Sequence, residues 1–130
     1  MCIFTFSNNT FMIKYLDDYI ELEGISGNFY QFELYSFNID DFSDLNSLFE
    51  EDDCGVYIFT KQNKYGKYDL IYCGESTDLS TRFYKHHRED CILRKKADYF
   101  GIFYCDRTET KDIEKDILDK YDFLCNTLNN

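Results

Sequence analysis

The chain has 130 residues, 44% of them hydrophobic and 19% aromatic. This composition excludes an intrinsically disordered protein, because such a chain can bury enough apolar surface to offset the entropy of ordering. The length predicts one compact unit, and the formal net charge of −11 by itself disfavours a nucleic-acid partner, since phosphates repel an acidic surface.

The excess negative charge lies entirely in the first part of the sequence. Residues 1–54 contain 12 acidic residues and 1 basic residue, whereas residues 55–130 contain 13 of each. The second part is neutral overall, so the objection to a nucleic-acid partner does not apply to it. We therefore expect the two parts to have different roles.

Residues 1–54 show the pattern of an antiparallel β-meander. Segments rich in Ile, Phe and Tyr are separated by turn signals such as SNN and GISGN. In YQFELYSF, apolar and polar residues alternate as in a half-buried strand. The predicted strands cover residues 2–6, 11–16, 19–25 and 30–37.

A change of period follows the meander. Apolar residues from Ile39 to Phe49 recur at spacings of three and four, which predicts a helix over 40–50. The acidic run EEDD at 50–53 marks the boundary. Residues 1–54 are thus expected to form an acidic, β-rich extension with one helix.

The second part alternates strands and helices. Strands at 55–60 and 68–73 are joined by a polar turn and predict a hairpin. A glycine and a polar stretch then lead into a helix over 78–90 that could extend to 96. A strand at 99–105 and a helix at 110–121 complete an α+β domain over 55–130.

Neither a membrane span nor a secretory signal is visible. No run of about 18 apolar residues occurs, so no membrane partner is expected. The N-terminus lacks a basic start and a small-residue cleavage site, which favours an intracellular, cytoplasmic location. The cysteines are scattered without a CxxC pair, so we expect reduced, partly buried thiols rather than a zinc site. They are Cys2, Cys54, Cys73, Cys91, Cys105 and Cys125.

Several polar side chains in the second part suit phosphodiester hydrolysis. A guanidinium is always protonated and can stabilise charge on phosphate oxygens, and a single carboxylate can hold Mg²⁺. Histidine or tyrosine can relay protons. Taken alone, each residue could also serve packing or solvation. The candidates are Tyr57, Tyr72, Arg82, His86, Glu114 and Asn126.

These residues give the chain its resemblance to the GIY-YIG nuclease superfamily. Its two name motifs appear as GVY at 55–57 and YCG at 72–74, and Arg82 follows Tyr72 by ten residues. A glutamate in the last helix and an asparagine twelve residues later complete the order. The resemblance covers residues 55–130 and implies a small three-stranded antiparallel sheet flanked by helices.

The resemblance implies a role for each matching position. Tyr57 would act on the attacking water as general base or orienting group, and Tyr72 would bind that water or the scissile phosphate. Arg82 would stabilise the transition state. His86 would transfer a proton or contact phosphate. Gly74 would allow a close turn into the following helix.

The remaining roles concern metal and substrate. The resemblance implies that Glu114 is the sole protein ligand of a single Mg²⁺ or Mn²⁺ ion. Asn126 would orient the site or contact substrate, and Lys85 would bind substrate. The sequence thus predicts a metal-dependent endonuclease hydrolysing nucleic acid, with DNA favoured over RNA. His87 is expected at the surface.

One departure supports a second prediction. Many members of the superfamily carry a basic residue after the second glycine, whereas this chain has Glu75, whose charge would repel phosphate. The alternative is therefore a weakly active or inactive binding or regulatory module. Its acidic residues 1–54 would dock a basic protein or mask the basic face of the second part.

Overall fold

The computed structural model describes residues 16–36 and 42–127 and has an α+β architecture. Its strands are β1 (Asp18–Glu23), β2 (Phe29–Ser36), β3 (Gly55–Gln62), β4 (Tyr68–Ser76) and β5 (Tyr99–Tyr104). Its helices are a 3-10 helix (Phe42–Leu48), α1 (Glu89–Arg94), α2 (Thr110–Leu118) and α3 (Leu124–Thr127). Within these residues, no helix is long and apolar enough to cross a membrane.

All five strands belong to one antiparallel sheet in the order β1-β2-β5-β3-β4. The prediction of a three-stranded sheet is therefore wrong. The three strands of the second part are adjacent, but β2 pairs with β5, with Tyr35 opposite Phe100. The acidic part thus extends the same sheet. The division of the chain into two parts at residue 54 stays a prediction.

The central strand β3 is buried on both sides of the sheet. Residues from Gly55 to Thr60 are all buried, as expected for an interior strand covered on both faces. Tyr57 and Phe59 point into a layer rich in aromatic rings, whereas Val56 and Ile58 point towards α2. We call the first the aromatic face; it includes Tyr57, Phe59, Tyr72, Phe83 and Phe100. The second is the helical face; it includes Val56, Ile58, Cys73, Ile117 and Phe123.

The hairpin of β1 and β2 is fixed to α2 by one carboxylate. Asp116 accepts hydrogen bonds from the Ser26 N–H at 2.9 Å and the Ser26 hydroxyl at 2.7 Å. It also accepts one from the Tyr30 hydroxyl at 2.7 Å. A Cβ atom at Gly24 would overlap this carboxylate. The acidic part is thus bonded to the second part as well as sharing its sheet.

The predicted helix over 78–90 is wrong. Residues 79–85 form consecutive turns, and Lys85 adopts a left-handed conformation with φ of 52°. The first α-helix after β4 is α1, which begins at Glu89 and ends at Arg94. The sequence pattern of this segment indicated a helix, but its backbone forms hydrogen bonds with other segments instead.

Hydrogen bonds to other segments replace the helical pattern. The Phe83 N–H, which an α-helix would direct to the Leu79 carbonyl, instead donates to Asn46 Oδ1 at 2.9 Å. A side chain of the acidic part thus takes one backbone donor of this segment, and the Asp53 carbonyl takes another, the Leu79 N–H. As a result, Arg82 and His86 do not share one helical face, although both still point towards the sheet region described below.

The other predicted elements have mixed outcomes. The strands at 19–25, 30–37, 55–60, 68–73 and 99–105 are confirmed, and the helix at 110–121 appears as the shorter α2. The helix at 40–50 appears as a 3-10 helix within that range. The predicted strand at 2–6 and nearly all of that at 11–16 lie outside the described residues. The short helix α3 was not predicted.

The prediction that every cysteine is reduced is wrong. Cys91 of α1 and Cys125 of α3 form a disulfide across 34 residues of sequence. Both are buried on the aromatic face, and α3, which carries Cys125, packs against β4. Cys54, Cys73 and Cys105 are free thiols, and Cys2 lies outside the described residues.

Candidate active site

Arg82 is the electrostatic centre of the candidate site. Its side chain is half-buried and forms no hydrogen bond or salt bridge within the part of the chain that the structure describes. Burial is the largest influence on the pKa of Tyr57, Tyr72, His86 and Glu114, and the Arg82 charge acts on all four. These groups therefore lie close enough to Arg82 to interact with it.

The position of Tyr57 depends on the glycine opposite it. Tyr57 on β3 pairs with Gly74 on β4, and a Cβ atom at Gly74 would lie 2.5 Å from the Tyr57 Cζ and hydroxyl oxygen atoms. The expected role of Gly74 in a turn is therefore wrong, because β4 continues through it to Ser76. Glycine is needed here because the phenol ring crosses its backbone.

His86 is held between a backbone amide and Tyr57. Its Nδ1 accepts a hydrogen bond from the Arg88 N–H at 3.0 Å. Because Nδ1 is an acceptor, the neutral ring carries its proton on Nε2 and donates it to the Tyr57 hydroxyl oxygen, 2.7 Å away. Burial, with the nearby Arg82 charge, lowers the pKa of His86 to about 3. Both ring nitrogens are thus bonded within the protein.

The two tyrosines differ in their surroundings. Burial raises the pKa of Tyr57 well above its usual range, so its hydroxyl is protonated at neutral pH. Burial also raises the pKa of Tyr72, and the Glu114 charge adds to this, while the Arg82 charge acts in the opposite direction. The Tyr57 hydroxyl is hydrogen-bonded to His86, and the centres of the Tyr57 and Tyr72 rings lie 6.0 Å apart.

Glu114 approaches this group from α2. Burial raises its pKa and the Glu75 charge adds to the effect, whereas Lys111 and Arg82 lower it. Glu75 forms a salt bridge with Lys111 at 3.2 Å. Lys111 is one helical turn before Glu114. Two carboxylates and two cations thus lie together where α2 meets β4.

These carboxylates fit a hydrated divalent cation. In residues 16–36 and 42–127, no cluster of three or more His, Cys, Asp or Glu side chains could hold a metal. A Mg²⁺ ion needs less, since it keeps several waters and usually binds one or two carboxylates. The negative charge of Glu75 helps to raise the pKa of Glu114. A bound cation would offset this repulsion between the two carboxylates.

Asn126 acts on the backbone of the edge strand. Its Oδ1 accepts the Cys73 N–H at 2.8 Å and its Nδ2 donates to the Cys73 carbonyl at 2.9 Å. This amide occupies the side of β4 that has no neighbouring strand among residues 16–36 and 42–127. Cys73 lies between Tyr72 and Gly74, so Asn126 holds both in place through the main chain.

The predicted surface residues are arranged as follows. Lys85 is exposed, and its ammonium lies 5.5 Å from the centre of the Tyr84 ring. His87 is exposed, as expected. The basic face expected from the sequence also includes Arg88, Arg94, Lys95 and Lys96. Arg88 is half-buried and the other three are exposed.

Sequence reasoning missed the salt bridge between Glu75 and Lys111 and the use of the Cys73 backbone. No local signal announced either contact, because the first depends on how α2 packs against β4 and the second on where the chain end docks. The chain matches no family model, no curated protein and no solved structure, so the resemblance to the GIY-YIG superfamily stays a prediction.

Proposed function

We propose that the protein is a metal-dependent endonuclease that hydrolyses phosphodiester bonds in DNA through a site of GIY-YIG type. The observation that supports this most is the convergence of two tyrosines, a histidine and a glutamate on the Arg82 charge. They come from β3, β4, the turns after β4, and α2. Perturbed titratable groups gathered from separate elements are typical of reactive sites.

Arg82 would bind the scissile phosphate. Its guanidinium is half-buried and has no partner among the described side chains. A planar, permanently charged fork can donate two hydrogen bonds to phosphate oxygens, and its effect is largest where water is partly excluded. The charge that develops on those oxygens during attack is therefore stabilised more than that of the bound substrate.

The histidine and the two tyrosines would have separate tasks. His86 is a positioning residue, because both its ring nitrogens are already bonded. Its bond to the Tyr57 hydroxyl fixes that ring beside Tyr72. Tyr72, next to Arg82, would then accept or orient the attacking water, or contact the phosphate.

Glu114, supported by Glu75, would hold Mg²⁺ or Mn²⁺. When bound, such an ion polarises a phosphate oxygen and makes a bound water easier to deprotonate. Glu114 would fix the ion beside Arg82, and Asn126 would keep β4 in register with both. Lys85 and the exposed basic residues of α1 and its C-terminal end would contact flanking phosphates.

Cleavage of supercoiled plasmid DNA in Mg²⁺ tests the proposal. The wild-type chain should nick the plasmid. We expect Arg82→Ala and Glu114→Gln each to lower the rate about 100-fold or more, as removal of one charge-stabilising group generally does. Circular dichroism of each variant should confirm that the fold is retained.

Matched variants separate the site from general charge effects. Lys64→Ala removes an exposed cation in the turn between β3 and β4, and Asp112→Asn neutralises an exposed carboxylate on α2. Both should keep the rate within about threefold, because screened surface charges contribute little. Equal rates in all five proteins, or no cleavage by the wild type of duplex DNA, single-stranded DNA or RNA, would contradict the proposal.

A second candidate is a regulatory module without cleavage activity. The acidic run at 50–53 packs against the turns that carry Arg82: the Leu79 N–H donates to the Asp53 carbonyl at 2.8 Å. The Asp52 N–H also approaches Asp78 Oδ1 at 3.3 Å. Tyr57 is fully buried. An acidic segment beside a closed site favours masking, or docking of a basic protein.

Binding measurements distinguish this second candidate. A regulatory module should bind a basic protein with an affinity that falls steeply with salt, and should show no metal-dependent cleavage. Lysozyme is a suitable generic basic probe, with a neutral protein of similar size as the control. Cleavage that disappears in Arg82→Ala would rule this candidate out.

A further inference from the structure

A pair of free cysteines lies at one end of the two central strands. Cys54 immediately precedes β3 and Cys105 immediately follows β5. These strands are antiparallel with Gly55 opposite Tyr104, so Cys54 and Cys105 are the next opposing positions. The Cys105 N–H donates to the Cys54 carbonyl at 3.2 Å, which continues the ladder to this pair.

Opposing positions are suited to a covalent link. Residues directly opposite in an antiparallel pair have Cα atoms about 4.5–5.5 Å apart and side chains on the same face. A disulfide requires a Cα separation of about 4.4–6.8 Å. Both thiols are partly exposed, unlike the third free cysteine, Cys73, which is fully buried.

The Cys54 thiol is not yet directed at its neighbour. Its sulfur lies 3.2 Å from the Asp52 carbonyl and 3.3 Å from the Thr77 carbonyl. Such thiol contacts are weak, and rotation about one side-chain bond replaces them.

We infer that Cys54 and Cys105 are a dithiol site that reacts with small disulfide oxidants and closes into a cross-strand disulfide. This inference does not depend on the proposed nuclease activity. The bond would join the start of β3, which carries Tyr57, to the segment leading into α2, which carries Glu114. It would be the second disulfide of the described chain.

The chemistry balances with the disulfide of a small monothiol, such as glutathione disulfide. The Cys54 thiolate attacks one sulfur of the oxidant, which gives a mixed disulfide and releases one glutathione thiolate. The Cys105 thiolate then attacks the Cys54 sulfur and releases the second glutathione. Two protein thiols are oxidised, the oxidant is reduced to two thiols, and the two protons pass to the glutathione thiolates through solvent.

The second step requires the thiolate form of Cys105. Burial, followed by the charges of Glu109 and Asp106 and by the neighbouring Cys54 and Glu75, raises the pKa of Cys105 to about 11. The thiolate fraction, and with it the rate of closure, should therefore rise about tenfold per pH unit below that value.

Oxidation of the folded, full-length chain tests the inference. The protein is incubated with glutathione disulfide at pH 7 and pH 9, alkylated, digested and analysed by mass spectrometry. We expect peptides containing Cys54 and Cys105 to be linked, with the mass of two hydrogens lost. Closure should be about 100-fold faster at pH 9, by the thiolate fraction.

Three variants make the result specific. Cys54→Ser and Cys105→Ser should abolish the link, and Cys105→Ser should retain a mixed disulfide at Cys54. Cys73→Ser should leave the link unchanged. Mixed disulfides without a 54–105 link in the wild type, or a link that forms only in denaturant, would overturn the inference.

Discussion

The two faces of β3 are equally buried but chemically different. On the helical face, Val56 and Ile58 pack against the apolar side of α2. On the aromatic face, the Tyr57 hydroxyl and the His86 ring are buried among phenylalanines and bonded to each other at 2.7 Å. Burial alone therefore does not identify the site. The site is identified by buried polar atoms that hydrogen-bond to one another, because burying either atom without a partner would cost free energy.

The candidate site joins these faces around the edge strand. Glu114 belongs to α2, which covers the helical face, and its charge acts on Cys73 there as well as on Tyr72. Phe123 packs on the helical face and Cys125 on the aromatic face, so the chain crosses the edge of β4 between them. Edge strand β4 is thus the place where groups from both layers can meet.

The largest predicted effect tests how far stability depends on the aromatic face. Phe83→Ala removes a fully buried ring that contacts Tyr57, Phe59 and Phe100. It should lower the free energy of unfolding by about 3–5 kcal/mol. Urea denaturation measures this loss. Its neighbour Tyr84 is 66% exposed, and Tyr84→Ala should change the value by less than about 0.5 kcal/mol. Similar values for the two variants would contradict the packing described.

A smaller effect tests the cross-strand contact that positions Tyr57. Gly74→Ala should lower the free energy of unfolding by about 1–3 kcal/mol, because the new methyl group displaces the Tyr57 ring. DNA cleavage should fall with it. Gly66 adopts a φ of 80° with open space around it. Gly66→Ala should thus cost about 1–2 kcal/mol through backbone strain alone and leave cleavage unchanged. Full cleavage by Gly74→Ala would remove this role for the glycine.

A third effect, which varies with pH, tests the buried polar group itself. The pKa of His86 is about 3 when folded and about 6.5 in the unfolded chain. Between about pH 3 and pH 6.5, the unfolded chain therefore binds a proton at this histidine that the folded chain does not bind. The contribution of the neutral His86 to the free energy of unfolding is thus fully present above pH 6.5 and is lost as the pH falls towards 3. The slope is at most about 1.4 kcal/mol per pH unit.

Comparison with a variant isolates this contribution. Urea denaturation from pH 7 to pH 4 should give a steeper fall for the wild type than for His86→Leu. His87→Leu, which alters the adjacent exposed histidine, should retain nearly the wild-type slope. Parallel curves for the wild type and His86→Leu would show that the histidine is not held neutral by the fold.

Local patterns predicted much of the fold. The alternation of Tyr30, Phe32 and Leu34 placed them in the core, where they are 8%, 0% and 0% exposed. The continuous apolar run of β3 likewise predicted a strand. The turns at 79–85 could not be predicted, because the N–H of Phe83 is taken by Asn46, which lies 37 residues earlier.

The candidate residues were identifiable from type and order, but their arrangement was not. The hydrogen bonds that leave His86 without a free nitrogen involve a backbone amide whose direction depends on the left-handed Lys85. The position of Asn126 depends on how the last helix docks on β4. Both are contacts between segments whose relative placement has no local signature.

Local patterns were enough to predict the described strands of the sheet, their buried sides, the charge asymmetry and the set of candidate residues. These follow from side-chain periodicity and composition, which act over a few neighbouring residues. The folded chain alone reveals the five-stranded sheet, the Cys91–Cys125 disulfide, the opposition of Cys54 and Cys105, and the effect of the Arg82 charge on Glu114. Those depend on which distant segments pair and in what register, and pairing is set by the packing of the whole chain.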